Sequence, residues 1–425
     1  MSAVGDKLRE LAAVVDERDA AIGQELKVQS ARITALAERV AKLEDAKPPV
    51  VVPGPALTPL SADPIVSLAK PAVGQTVKDP TYGLPLTRAA SGRRHYYSRR
   101  SPWNADGTYE LLWDGRYWFL HDAKTHAEIK QLPGLMNNMD VMWHPADRKR
   151  ILHTGKDGAG GIWYWLDVET GTRVMAFNLS GTYASATAYW TGGEGRLSDD
   201  GRYLAVMALA GTRCYGLVVV DTTLGKVVGK YATTYRPDSV TMSRSGAYVI
   251  PQFLINEGGI QAHKRDFSGF TQIHGRTTHS DCGLAEGRDV LVYMDYEAGK
   301  VRCKYMDTGV WWDVAPIYQA NSSSWAGHIS CTGPQGVALI SAHTDSDKPG
   351  GVKTSPAVLL QPQYRKVWLV ELTPAGKAYN VLHIRGTGTE YMDEPQAALS
   401  PDGKRAMVAT NMGSGYSDAY VVELP

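Results

Sequence analysis

Glu394-Pro-Gln-Ala-Ala-Leu-Ser-Pro-Asp-Gly-Lys-Arg-Ala-Met-Val-Ala-Thr-Asn411, with Asp418-Ala-Tyr-Val-Val-Glu-Leu-Pro425 after it, reads as strand, tight turn, strand, loop, strand. Ser400-Pro401-Asp402-Gly403 carries the turn: Pro presets φ, Asp bonds its own backbone and Gly takes positive φ. Short apolar runs flank it on both sides. Three such strands cannot bury both faces alone, so the unit calls for neighbours of its own kind.

The chain contains them. Turn-centred relatives run through Asn104 to Gly107, Asp140 to Arg148, Glu194 to Gly201, Asp238 to Gly246, His279 to Gly287 and His328 to Gly336. Their spacing of roughly 40–50 residues, with one longer interval, is the period of propeller blades. Second turns such as Val168-Glu-Thr-Gly171 and Thr222-Thr-Leu-Gly225 complete four strands per blade. The expected fold is mainly β: a seven-bladed β-propeller over residues 78–425. The last blade ends with its third strand, so a segment near Tyr82-Gly-Leu-Pro-Leu-Thr-Arg88 is expected to supply the outer strand and close the ring. Trp113, Trp118, Trp143, Trp163, Trp165 and Trp368 are expected in the core, and Trp311, Trp312 and Trp325 near blade ends.

Ahead of the propeller, residues 6–45 carry a heptad seam, so residues 1–45 are read as an α-helical coiled-coil stalk. Leu8, Val15, Ile22, Gln29, Leu36 and Leu43 form one series, and Ala12, Asp19, Leu26, Ile33 and Val40 the other. A homo-oligomer follows, with a trimer favoured, although Ile33 and Val40 beside Leu36 and Leu43 also suit a dimer. Residues 46–77 begin with Lys-Pro-Pro-Val-Val-Val-Pro-Gly-Pro and read as a Pro-rich linker, a stiff extended spacer. The segment from His343 to Pro356 is a polar Gly/Pro-rich insertion of the kind that carries binding on a rigid scaffold.

A formal net charge of +1 argues against nucleic acid as a partner, and no apolar run is long enough for membrane insertion. The start has no apolar signal-peptide core, so assembly in a cytoplasm is expected. Cys214, Cys282, Cys303 and Cys331 stand singly, without metal-type spacing, and read as buried free thiols rather than disulfides.

Chemistry is expected where the innermost strands begin, at one mouth of the central channel. Counting back from each turn Gly, or its equivalent, gives Asp140, Glu194, Asp238, His279, His328, Glu394 and Gln396, with Arg99 and Arg100 for the first blade. Such a ring could bind a polar ligand, hold a divalent metal (Mn or Ca), or simply satisfy backbone groups and water in the channel.

The turns, Ser400-Pro-Asp-Gly-Lys-Arg above all, resemble those of TolB-like propellers, and the last blade is similar to that of oligogalacturonate lyases. That resemblance implies manganese held by His279, His328 and Gln396, with Arg99 or Arg100 binding the acid. The metal would neutralise the substrate carboxylate and lower the pKa of the adjacent C–H, and a Lys, Arg or His would take the proton. The order of stalk, spacer and head looks instead like a fibre or receptor-binding protein of a bacteriophage. The expected function is therefore an oligomeric virion fibre, assembled in the host cytoplasm and docked on a larger particle through its N-terminus. Its heads would bind a host-surface glycan or protein for host attachment. The alternatives are a metal-dependent uronate lyase and a scaffold within a larger assembly, cytoplasmic in either case.

Overall fold

The computed structural model describes residues 57–317, 326–343, 361–386, 393–413 and 415–425. The heptad seam, the start of the linker, Trp325 and most of the Gly/Pro-rich insertion lie outside them.

Seven antiparallel sheets follow one another along the chain. The first contains Tyr109–Trp113, Tyr117–Asp122 and Glu128–Met136. Four four-stranded sheets come next, spanning Val141 to Asn178, Ala188 to Ala232, Val240 to His274 and Ser280 to Pro316. The sixth runs from Ala326 to His383. The seventh takes Ala398–Leu399, Arg405–Thr410 and Asp418–Glu423 from the end of the chain. Pro85–Arg88 then pairs with Asp418–Glu423, and Thr76–Lys78 pairs with Pro85–Arg88. The ring thus closes through the segment that the sequence marked for it. Among the described residues there is no α-helix, and no helix long and apolar enough to cross a membrane.

Closure shows equally in the packing. Seven apolar clusters each join one pair of consecutive blades. The last of them sets Met407, Ala419 and Val421 of the seventh blade against Trp103, Leu112 and Ala123 of the first. Side chains on both faces of every sheet are used, which is why the strands read as near-continuous apolar runs. Trp118, Trp163 and Trp368 are fully buried, Trp113 and Trp143 nearly so, and Trp165 half-buried, while Trp311 is exposed at a blade's outer edge. The four cysteines are buried and free.

One device repeats in the turns. Ser400 Oγ accepts the Arg405 amide at 2.9 Å and Gly403 N donates to Ser400 O at 2.9 Å. Ser198 Oγ does the same for Tyr203 N at 2.9 Å, Ser243 Oγ for Tyr248 N at 3.1 Å and Asn104 Oδ1 for Tyr109 N at 3.0 Å. The hydroxyl or amide oxygen stands in for a backbone acceptor and tightens the hairpin. Gly201 shows why Gly follows: its φ is +74°, and a Cβ there would run into the His144 ring.

The linker region reaches the sheets from residue 57. Pro59 bridges Tyr379, Leu60 N donates to Ala378 O at 2.8 Å and Asn380 N to Thr58 O at 2.9 Å, so this stretch lies along the sixth blade's outer edge. Proline is tolerated on an edge because no further strand needs its missing N–H. Beneath it the buried Lys366 ammonium donates to Ser61 O at 2.6 Å and Asn380 Oδ1 at 2.9 Å. Burial pushes that amine down to about 8.

Candidate functional site

The first blade departs from the repeat in a way that decides what the channel contains. Its inner strand pairs at only two points, Arg94 with Trp113 and Trp103 with Glu110. Three positions separate Glu110 from Trp113 on one side, but nine separate Arg94 from Trp103 on the other. The surplus, His95 to Pro102, leaves the sheet as a turn in which Arg100 N donates to Tyr97 O at 3.1 Å. Its side chains contact five other blades, so the excursion acts as a plug.

Those contacts involve most of the ring expected from the sequence. Arg100 donates to Asp140 of the second blade, to Thr191 Oγ1 at 3.2 Å and to the carbonyls of Gly195 at 3.0 Å and Val141 at 3.2 Å. Asp140, fully buried, also accepts from Thr191 N and Thr191 Oγ1, each at 2.7 Å. Arg99 pairs with Glu194 at 3.0 Å and donates to Ser239 Oγ at 3.2 Å. Gln252, with its amide oxygen turned toward Arg99, accepts from Nη1 at 2.8 Å and Nη2 at 2.7 Å. Tyr97 meets the His328 ring edge-on at 5.4 Å. His95 Nε2 and Gln396 O are 2.5 Å apart, and Arg94 donates to Gln396 Oε1 at 2.5 Å.

The electrostatics follow from exclusion of water. Burial raises the Glu194 carboxyl above its ordinary range although Arg99 beside it pulls the other way. Burial and the Arg94 charge push the His95 imidazole down to about 3, so it is neutral and fixed as part of the plug. On the far side of the channel the His279 and His328 rings lie 4.6 Å apart, edge to face. Burial, with His328 adding to it, holds His279 well below the ordinary histidine range.

Of the expected ring residues, Arg99, Arg100, Asp140, Glu194, His279, His328, Glu394 and Gln396 converge on the channel. Asp238 does not join their hydrogen bonds: its side chain is exposed, and Ser239 next to it makes the contact with Arg99. The metal set that the resemblance implies is not gathered. His328 Nε2 is 2.6 Å from Glu394 Oε2, His279 Nδ1 is 3.0 Å from the Tyr296 hydroxyl, and Gln396 Oε1 is taken by Arg94. Among the described residues no group of three or more His, Cys, Asp or Glu is placed to hold a metal ion. These donors do not fit manganese.

Sequence reasoning missed Arg94, His95, Tyr97, Arg196 and Asp281. Asp281 is buried and accepts from Cys282 N at 2.8 Å and Cys331 N at 2.6 Å, with Arg196 at 3.8 Å. The usable signal for the first three was the dense run Arg93-Arg-His-Tyr-Tyr-Ser-Arg-Arg100, too polar for an inner strand.

No protein-family model and no curated protein matches the sequence. Solved structures do resemble the fold. An oligogalacturonate lyase in complex with manganese aligns at a TM-score of 0.57 and 13% identity, over 83% of this chain and 96% of that one. The oligogalacturonate lyase of Vibrio parahaemolyticus gives 0.57 and 12%, over 83% and 96%. Hydrazine synthase of Kuenenia stuttgartiensis gives 0.50 and 13%, over 76% and 94%. At such identities the likeness is one of fold, a seven-bladed propeller similar to that of the lyases.

Proposed function

We propose that this chain is a homotrimeric, fibre-like protein of a bacteriophage virion, docked through its N-terminus, whose propeller heads bind a host-surface glycan or protein. The observation that carries the reading is the order of the sequence: a heptad seam over residues 6–45, a proline-rich stretch, then a closed seven-bladed head. An oligomeric stalk multiplies weak contacts made by separate heads, because the second and third binding events become intramolecular. The plug supports the same side of the choice. A channel crossed by Arg99 and Arg100, with its histidines committed to Glu394 and Tyr296, suits a rigid recognition head better than a reaction centre.

Light scattering on the full-length chain tests this directly. The expected mass is three times that of the 46.3 kDa chain, falling to one chain in the double variant L26E/I33E. A monomeric wild-type chain would remove the reading. Ultraviolet-absorbing unsaturated products from pectic fragments with added manganese would replace it with the lyase.

A further inference from the structure

At the other end of the channel, where the inner strands finish, the repeated turns surround a pocket of ≈ 240 Å³. Its rim comes from those turns, with Pro145, Asp199 and Pro401 exposed. Four guanidinium groups line it: Arg99 and Arg100 from the plug, Arg196 from the third blade and Arg244 from the fourth. Trp103, Trp143, Met142 and Leu197 supply apolar wall.

Each cation has a carboxylate behind or beside it. Arg99 meets Glu194, Arg100 Asp140, Arg196 Asp281 at 3.8 Å and Arg244 Asp199 at 2.7 Å. That compensation is loosest at Arg196, whose carboxylate partner is the most distant of the four. Burial raises both Glu194 and Asp281 above the usual carboxyl range, while Arg99 and Arg196 beside them pull the other way. Arg196, 9% exposed, also keeps its Nε–H buried with no hydrogen-bond partner. A buried unsatisfied donor of this kind is costly, and an anionic oxygen would relieve it.

We propose that this pocket is a binding site for a small organic carboxylate, held by Arg196 and Arg244 with its carbon skeleton against the Trp103–Trp143 wall. The site lies at the opposite mouth from the His279–His328 pair and does not depend on the fibre reading. Because each arginine already has an acid nearby, the pocket suits one singly charged carboxylate rather than a phosphate. The apolar wall favours an anion with a ring or short carbon frame over a bare ion.

Calorimetry on the full-length protein tests it with two matched pairs, glucuronate against glucose and cyclohexanecarboxylate against cyclohexanol, and with inorganic phosphate. Both acids are expected to bind and both neutral partners to fail. The stronger of the two acids shows whether the frame is a sugar or a hydrocarbon. R244Q, away from the plug but removing a largely buried guanidinium that also donates to Gly333 O at 2.8 Å and Cys331 O at 3.3 Å, is expected to weaken the acids about tenfold with the circular dichroism of the folded protein unchanged. D199N, which removes a competing carboxylate, is expected to tighten them. Neutral partners binding as well as the acids, phosphate binding more tightly than either, no binding by any probe, or R244Q without effect would each overturn the assignment.

Discussion

Asp140 is the residue on which most of the plug's order converges. It is fully buried, and its carboxylate receives Arg100 together with the Thr191 amide and hydroxyl. A buried ion pair adds little compared with apolar packing, but removing one partner strands the other charge away from water. D140A is therefore expected to lose about 3–5 kcal/mol in urea unfolding. R100M/D140L is expected to lose less than D140A alone, because it strands no buried charge. A D140A protein within about 0.5 kcal/mol of wild type, the range of an ordinary surface change, would mean that Arg100 finds another anion. The comparison with Asp238 shows how finely such positions depend on register. Val141 and Val240 open equivalent inner strands, so Ser239, and not Asp238, matches Asp140. The second blade lacks the turn Gly, and taking Arg148 in its place shifts the count by one. A one-residue slip turns a side chain to the opposite face.

At the scale of elements, the seam between residues distant in sequence, where Pro85–Arg88 pairs with Asp418–Glu423, is where the ring should open first. Leu86 is fully buried and sits opposite Val422 in the sheet made by Pro85–Arg88 and Asp418–Glu423. L86A is expected to cost about 2–5 kcal/mol. Amide exchange should quicken most in Asp418–Glu423 and Arg405–Thr410, and least in the third and fourth blades. Uniform quickening across all blades would show that the seam is no weaker than its neighbours. This element was legible beforehand because its cause is local: a final blade one strand short and an apolar segment near Leu86 that had no other place. The turns of the first, third, fourth and seventh blades were legible for the same reason, each being made by a Ser or Asn and a Gly a few residues apart. The plug was not, since it exists only through the unequal spacing of two distant bridges, Arg94–Trp113 and Trp103–Glu110. Arg196 and Asp281 were hidden likewise, as single polar residues, Arg196 in the loop before the Ser198 turn and Asp281 within the strand Ser280–Ala285, whose partners come from other blades.

For the molecule as a whole, the common fate of its histidines is burial, and this sets a dependence on acid. His95 is pushed down to about 3, and His153, His263 and His383 to about 4, in each case chiefly by burial. Unfolded, each would titrate near its ordinary value of about 6.5. A lowered folded value means that the contribution to stability is complete above about 6.5 and drains away as pH falls toward the folded value, because the unfolded chain then binds more protons. Two groups of residues act the other way. His126 is raised, since its hydrogen bond and attraction to Glu110 outweigh burial, so its contribution is full below about 6.5 and is lost as pH rises. Glu194, Asp281, Asp289 and Glu423, raised by burial, take up protons in the folded chain as acid is added. A single histidine must therefore be isolated by difference. His263 suits this: it lies among Tyr231, Phe267 and Phe270, and its one side-chain hydrogen bond is to Gln261 at 2.8 Å. H263F keeps the ring and removes the proton site. Between pH 6.5 and 4 the variant is expected to gain on wild type by up to about 1.4 kcal/mol per pH unit, the slope for one proton. Parallel curves for the two proteins would mean that His263 takes its proton in the folded propeller as readily as in the unfolded chain, and that the aromatic cage around it admits water.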